Sequence, residues 1–161
     1  MPLWLQFFAQ AALSFFATMA FALCINVPRR ALIPCGWSGL LGWMVYWVLW
    51  QLGTGRMLAN AAGAVVLAFS GVLFARHYKM PAIIFNIPGL FPLVPGATAY
   101  QAVRELVLGH IDESMRLVVR VSLVAGSIAV GFMLAQLLGE FYSRYLRARW
   151  RRRRRTVKRQ R

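Results

Sequence analysis

The segment from residue 80 to residue 100 holds the residues best suited to bind a small molecule. It reads MPAIIFNIPGLFPLVPGATAY, and two of its four prolines are followed directly by glycine. A proline inside a helix removes its own N–H and clashes with the carbonyl four residues earlier. In hydrocarbon, such a freed carbonyl is tolerated only where protein or water satisfies it. We therefore predict a discontinuous helix, with a single kinked structural helix as the alternative; the breaking residues are Pro81, Pro88, Pro92 and Pro95.

The second half of this segment predicts a site for a carboxylate. Pro95 suits the first position of a helix, where its missing N–H costs nothing. The amides of the next three residues would then be free and aimed along the positive end of the helix dipole, which attracts anions. A side-chain amide and two hydroxyls lie near the break. The predicted substrate-contacting residues are Asn86, Pro88, Pro92, Pro95, Gly96, Ala97, Thr98 and Tyr100.

A shorter version of the same pattern occurs earlier in the chain. Residues 24–28 read CINVP and residues 84–88 read IFNIP, so Asn-aliphatic-Pro recurs sixty positions apart. Arg29 and Arg30 follow the first copy. We predict that Asn26, Arg29 and Arg30 lie at the cytoplasmic mouth of a pathway, where positive charge raises the local concentration of anions. The alternative is that these arginines only fix orientation in a membrane.

The elements that position these residues are membrane helices. The chain of 161 residues is 60% apolar and only 14% charged, which excludes a soluble domain and a disordered chain. Five runs of at least 19 residues carry no charge, and about 20 apolar residues cross a bilayer as a helix. The runs are 1–28, 31–55, 57–75, 80–103 and 121–139. We predict an all-α integral membrane protein with five transmembrane segments, the fourth of them a Pro/Gly-broken helix.

The basic residues predict the orientation and the domain organisation. With five crossings and a cytoplasmic C-terminus, fifteen Lys and Arg residues lie inside and four lie outside. We therefore expect the N-terminus outside, a transmembrane domain over residues 1–143 and a basic cytoplasmic tail over residues 144–161. The tail is expected to contact anionic membrane lipids. An alternative function is a membrane scaffold or assembly protein whose tail contacts anionic lipid or nucleic acid, although we expect no nucleic acid.

Small residues recur on one side of the last apolar run. Such residues at steps of four make a flat helix face that another backbone can approach closely. We predict that this face contacts a partner subunit or a second copy of the chain, with packing against another helix of the same chain as the alternative. It consists of Gly126, Ser127, Gly131, Ala135 and Gly139.

No motif for catalysis occurs in the sequence. It contains no HExxH, no phosphate-binding glycine loop and no arrangement of Ser, His and Asp typical of hydrolases. Cys24 and Cys35 match no metal or redox spacing and are interpreted as small buried apolar residues. His77 and His110 are interpreted as anchors at the membrane interface. We expect no enzyme, no catalytic residue, no cofactor and no metal.

Two motifs resemble a known family. The runs FALCINVPRRAL (21–32) and IPGLFPLVPGATAY (87–100), followed by a glycine-rich last span, resemble the small subunit of the threonine/serine exporter family. The resemblance covers residues 10–140, whereas the Arg-rich tail departs from it. It implies export of threonine, serine or a dicarboxylate such as succinate across the bacterial inner membrane, driven by an ion gradient. It also implies a larger membrane subunit as partner. The roles of individual residues are argued here from physical chemistry alone.

Overall fold

A computed structural model describes the backbone of residues 2–159 and the side chains of residues 2–141. The side chains of the predicted basic tail therefore lie outside the described residues. The described chain is helical and contains no strand. The elements are α1 (Leu3–Cys24), a 3-10 turn (Arg29–Ala31), α2 (Leu32–Gln51), α3 (Arg56–Tyr78), α4 (Ile83–Leu90), α5 (Gly96–Val107) and α6 (Ile111–Arg159).

Four stretches are long and apolar enough to cross a membrane. They are α1, α2 with its preceding turn, α3, and the part of α6 from Ile111 to Phe141. The protein is an all-helical, multi-pass membrane protein. The predicted fourth segment forms two short helices instead, α4 with 8 residues and α5 with 12. Since about 20 residues are needed for a crossing, neither crosses alone, and a fifth crossing stays a prediction.

The first three long helices pack side by side in antiparallel pairs. Between α1 and α2, the Trp43 indole donates a hydrogen bond of 2.8 Å to Gln10 Oε1. Between α2 and α3, Gly42 and Gly63 bring the two backbones together, because a Cβ on Gly63 would lie 2.7 Å from the Gly42 carbonyl oxygen. Small residues allow this close approach without any side chain between the helices.

Helices α3 and α6 run parallel to each other. Near one end, a Cβ on Gly131 of α6 would lie 2.5 Å from the Ala61 carbonyl oxygen of α3. At the other end, the Arg76 guanidinium donates to the Gly139 carbonyl oxygen at 3.3 Å. Sequence positions thus increase in the same direction along both helices. The chain between them, residues 79–110, must therefore return from one end of the bundle to the other.

The small-residue face of α6 is covered from within the same chain. Gly131, Ala135 and Gly139 are buried, and a Cβ on Gly139 would lie 3.6 Å from Val72 of α3. The prediction that this face contacts another subunit is therefore wrong for these residues, because α3 already occupies it. Gly126 differs, since a Cβ there would meet no heavy atom within 4 Å of the described chain.

Candidate binding site at the break between α4 and α5

Side chains of α2 contact the backbone carbonyls of α4 in the turn before Pro88. Pro88 has no N–H, so it leaves the carbonyl of Ile84 without its helical donor. The Cys35 thiol donates to that Ile84 oxygen at 3.3 Å, and the Ser38 hydroxyl lies 3.1 Å from the Phe85 carbonyl oxygen. Gly89 permits this approach, since a Cβ there would lie 2.6 Å from Ser38 Oγ. A protein side chain thus satisfies the backbone carbonyl that proline leaves without a helical donor.

The connection from α4 to α5 is irregular backbone that contacts the bundle through Phe91 and Leu93. The Phe91 ring stacks on Phe21 of α1, with the ring centroids 4.7 Å apart and the planes 17° apart. Leu93 is buried in a cluster that joins α3 to α6. The rest of that buried cluster consists of Ala64, Leu67, Val124 and Ile128.

The first turn of α5 differs in detail from the prediction. Pro95 precedes the helix, with φ −76°, rather than occupying its first position. The Gly96 amide donates to the Val94 carbonyl oxygen at 2.8 Å, so the expectation that this amide is free is wrong. The amides of Ala97 and Thr98 make no backbone hydrogen bond within the described residues. Two amides rather than three are therefore available to an anion.

This first turn of α5 lies between two cavities. One, of about 490 Å³, is mostly apolar, and Gly96 and Ala97 line it. The other, of about 170 Å³, is lined by Thr98 together with arginines of two other helices. It is smaller than the pockets of about 300–1,000 Å³ that hold drug-sized ligands, which suits a small metabolite. We name the second one the arginine cavity; its lining is Trp43, Tyr46, Arg56, Asn60, Pro92, Leu93, Val94, Pro95, Thr98, Arg120, Val121 and Val124.

The comparison with known proteins identifies the family. The model of the threonine/serine exporter family, ThrE, matches residues 10–138. The chain belongs to the threonine/serine exporter family. The resemblance of the motifs at 21–32 and 87–100 is thereby confirmed.

Two relatives are both longer than the region that this chain matches. A threonine/serine exporter of Corynebacterium glutamicum is 29% identical over 133 residues, which are 80% of this chain and 25% of that protein. An uncharacterized protein of Haemophilus influenzae is 27% identical over 128 residues, which are 74% of this chain and 43% of that protein. The chain thus spans less than half the length of either relative. No solved structure matches it.

The structure of this exporter-family chain separates several predicted site residues. Pro92, Pro95 and Thr98 meet at the arginine cavity. Asn86 lines neither cavity, since it packs against Gly71 of α3, where its Oδ1 is buried without a hydrogen-bond partner. Tyr100 is 70% exposed.

The predicted mouth residues lie at the opposite end of this exporter-family bundle from the arginine cavity. The turn that carries Arg29 and Arg30 ends at Ala31, which packs in one cluster with Phe74 and Ala75 near the C-terminal end of α3. The arginine cavity is instead lined by Arg56, the first residue of that helix. Asn26, Arg29 and Arg30 are exposed, and Asn26 has a positive φ of 58°.

Sequence reasoning missed the two arginines of this cavity. Arg56 directly follows one uncharged run and Arg120 directly precedes another. From the sequence, both count only among the four positive charges expected outside the membrane. Their meeting requires the parallel packing of α3 and α6. The prediction that Cys24 is buried is also wrong, since Cys24 is exposed and only Cys35 is buried. Among the described residues, no group of His, Cys, Asp and Glu is placed to hold a metal ion.

The turn between α5 and α6 of this exporter-family chain contains an ion pair and a close His–Glu contact. Glu105 accepts from Arg104 at 2.9 Å and lies 2.8 Å from His110 Nδ1. The hydrogen bond from His110 and the charge of Arg104 lower the pKa of Glu105 below its ordinary value. His110 thus connects the turn to Glu105 near the end of α5.

Proposed function

We propose that this chain is the small subunit of a two-chain bacterial exporter. It carries threonine, serine or a dicarboxylate such as succinate out of the cytoplasm across the inner membrane. The observation that carries the proposal is the family match over residues 10–138. The matched region is 25% of the C. glutamicum exporter, and in this proposal a larger membrane subunit supplies the remainder of the transporter.

In this proposal the chain crosses the membrane five times, with its N-terminus outside and its C-terminus in the cytoplasm. The parallel packing of α3 and α6 supports this, because parallel neighbours need a return crossing between them. The return is made jointly by α4, the connection and α5, of which α4 and α5 comprise 20 residues. Asn26, Arg29 and Arg30 then lie at the cytoplasmic mouth and attract anionic substrate groups.

The break between α4 and α5 lines the substrate path in this proposal. Transporters bind substrates where helices are interrupted, because the freed backbone groups and helix ends can replace water around a polar ligand. The unpaired amides of Ala97 and Thr98 receive the substrate carboxylate. Asn86 is proposed as a second contact further along α4 although it lines neither cavity, because its buried Oδ1 has no donor within the described chain and can accept a hydrogen bond from a substrate amine or hydroxyl.

Two further proposals concern partners. The basic tail contacts the anionic lipids of the inner leaflet. The open face of α6 around Gly126 is available to a second copy or to the larger subunit, because nothing in the described chain covers it.

The proposal is tested by efflux from cells preloaded with labelled threonine, serine or succinate. Four strains are compared, which carry this chain with the larger subunit, each chain alone, and neither. We expect efflux above background only when both chains are present. Efflux that is unaffected by removal of this chain would contradict the proposal.

A further inference from the structure

We infer that the arginine cavity is an anion site that binds the carboxylate of the exported metabolite at the end of the bundle opposite Arg29 and Arg30. The identification of its ligand as the exported metabolite rests on the proposed function. The cavity itself rests on the structure, through the placement of Arg56 on α3 and Arg120 on α6.

The charge of the cavity is uncompensated. Two guanidinium groups line it, and none of its described lining residues is Asp or Glu. Within the described side chains, neither Arg56 nor Arg120 has a carboxylate within 4.0 Å, whereas Glu105 is engaged by Arg104 and His110. Two like charges that share one small space repel each other, and an anion between them removes that repulsion. The arrangement therefore favours a negatively charged occupant.

The geometry around the arginines fits a carboxylate in particular. Arginine presents its N–H groups in a planar fork that matches the two oxygens of a carboxylate. The Arg56 guanidinium carbon lies 5.9 Å from the centroid of the Trp50 ring, which supports the face of the group and leaves its edge for a ligand. Asn60 is buried and donates to the Arg56 carbonyl oxygen at 2.7 Å, which holds the first turn of α3 in place.

The α5 side of the cavity adds a further donor. Thr98 lines the cavity, and its backbone amide makes no backbone hydrogen bond in the described chain. The cavity is bounded toward the middle of the bundle by Leu93 and Val124, which belong to the buried cluster. A ligand that reaches the arginines thus meets apolar packing on the inner side, as expected of a site that opens toward only one end.

The test uses the full chain, purified into nanodiscs of neutral phosphatidylcholine, with direct binding of labelled succinate and of labelled threonine. Arg56→Gln and Arg120→Gln remove one charge each at similar size. We expect each to raise the Kd by about tenfold or more, since a hydrogen-bonded charge pair is lost. Arg120→Lys keeps the charge without the fork and is expected to lie between the parent and Arg120→Gln.

Arg116→Gln is the matched control. Arg116 lies one turn before Arg120 on α6, outside the cavity lining, and is 3.9 Å from Glu113. We expect its Kd to stay within about twofold of the parent, because only cavity charges act on the ligand at short range. Equal weakening by all three Gln substitutions would mean that general positive charge, and not the cavity, holds the anion.

Three other results would overturn the inference. One is unchanged binding after both cavity substitutions, and another is no binding of either metabolite by the parent chain. The third is loss of succinate binding in nanodiscs that contain phosphatidylglycerol, since the cavity would then hold a lipid phosphate.

Efflux measurements distinguish a failure of this inference from a failure of the proposed function. If export requires this chain but ignores both arginines, only the cavity is refuted; if binding requires the arginines but export ignores the chain, only the transport role is refuted.

Discussion

The Cys35 thiol of α2 donates a hydrogen bond of 3.3 Å to the Ile84 carbonyl oxygen of α4, the group that Pro88 leaves without a helical donor. The contact explains how a proline is accommodated inside a packed helix. It also gives Cys35 a polar role, where the sequence indicated only a small buried residue.

We predict that Cys35→Ala lowers the free energy of unfolding by about 1–3 kcal/mol, because a buried acceptor loses its donor. Cys35→Ser keeps a donor at this position and is the matched control, expected to stay close to the parent. Thermal unfolding of both variants in the same detergent measures the difference. Equal stability of the Ala and Ser variants would show that the hydrogen bond contributes nothing.

The return of the chain between α3 and α6 predicts that Lys79 and Gly109 face opposite sides of the membrane. Cysteines introduced at Lys79 and at Gly109 in a cysteine-free background, probed with a membrane-impermeant thiol reagent, report the two sides. We expect the cysteine at position 109 to be labelled in intact cells and the one at position 79 only after lysis. Labelling of both in intact cells would mean that residues 79–110 do not cross.

The packing of α6 on α3 predicts that Gly131→Leu destabilises the chain itself. A side chain there would collide with the Ala61 backbone, and overpacking of this kind costs about 1–3 kcal/mol. Gly126→Leu is the control on the same helix, because its Cβ meets open space in the described chain. Both variants are extracted in detergent, and size-exclusion chromatography shows which of them stays folded. If Gly126→Leu alone disrupts binding to the larger subunit, the open face of α6 is the interface.

The site at the start of α5 predicts that Gly96→Val abolishes efflux without loss of folding. A Cβ at Gly96 meets no heavy atom within 4 Å in the described chain, so valine fits the protein and obstructs only a ligand. Efflux of labelled threonine and succinate, normalised to the amount of assembled protein, is the measurement. Asn86→Ala is expected to raise the apparent KM. Parental export by both variants, at normal expression, would place the carboxylate site elsewhere.

Glu105 predicts a pH dependence at the turn between α5 and α6. The hydrogen bond from His110 and the charge of Arg104 lower the pKa of Glu105 from its ordinary value of 4.5. The ionised carboxylate therefore stabilises the turn above that ordinary value, and the stabilisation is lost as the pH falls through the lowered pKa. Hydrogen exchange of the His110 amide, which donates to the Glu105 carbonyl oxygen at 2.9 Å, reports on the turn. Glu105→Gln should remove the acid dependence of this exchange rate. The same pH profile of exchange in the variant and the parent would refute a role of Glu105.

The sequence alone determined the helical character and the positions of four long apolar helices, whereas a fifth, Pro/Gly-broken crossing stays a prediction. These are local properties, because the length of an uncharged run decides whether a helix can cross a membrane. The motifs at 21–32 and 87–100 also sufficed to identify the family. The predicted start of α5 is wrong by only one residue, because Pro95 precedes the helix and does not occupy its first position.

Only the tertiary structure decided which surfaces meet. A row of small residues shows that something packs closely on α6, but periodicity says nothing about whether α3 or another subunit does so. Cys35 could not be matched to Ile84, because the pairing depends on how α2 and α4 are placed. Arg56 and Arg120 are sixty-four positions apart and come to one cavity only because α3 and α6 run parallel. Contacts between helices depend on their direction and order in the bundle, which no single stretch of sequence encodes.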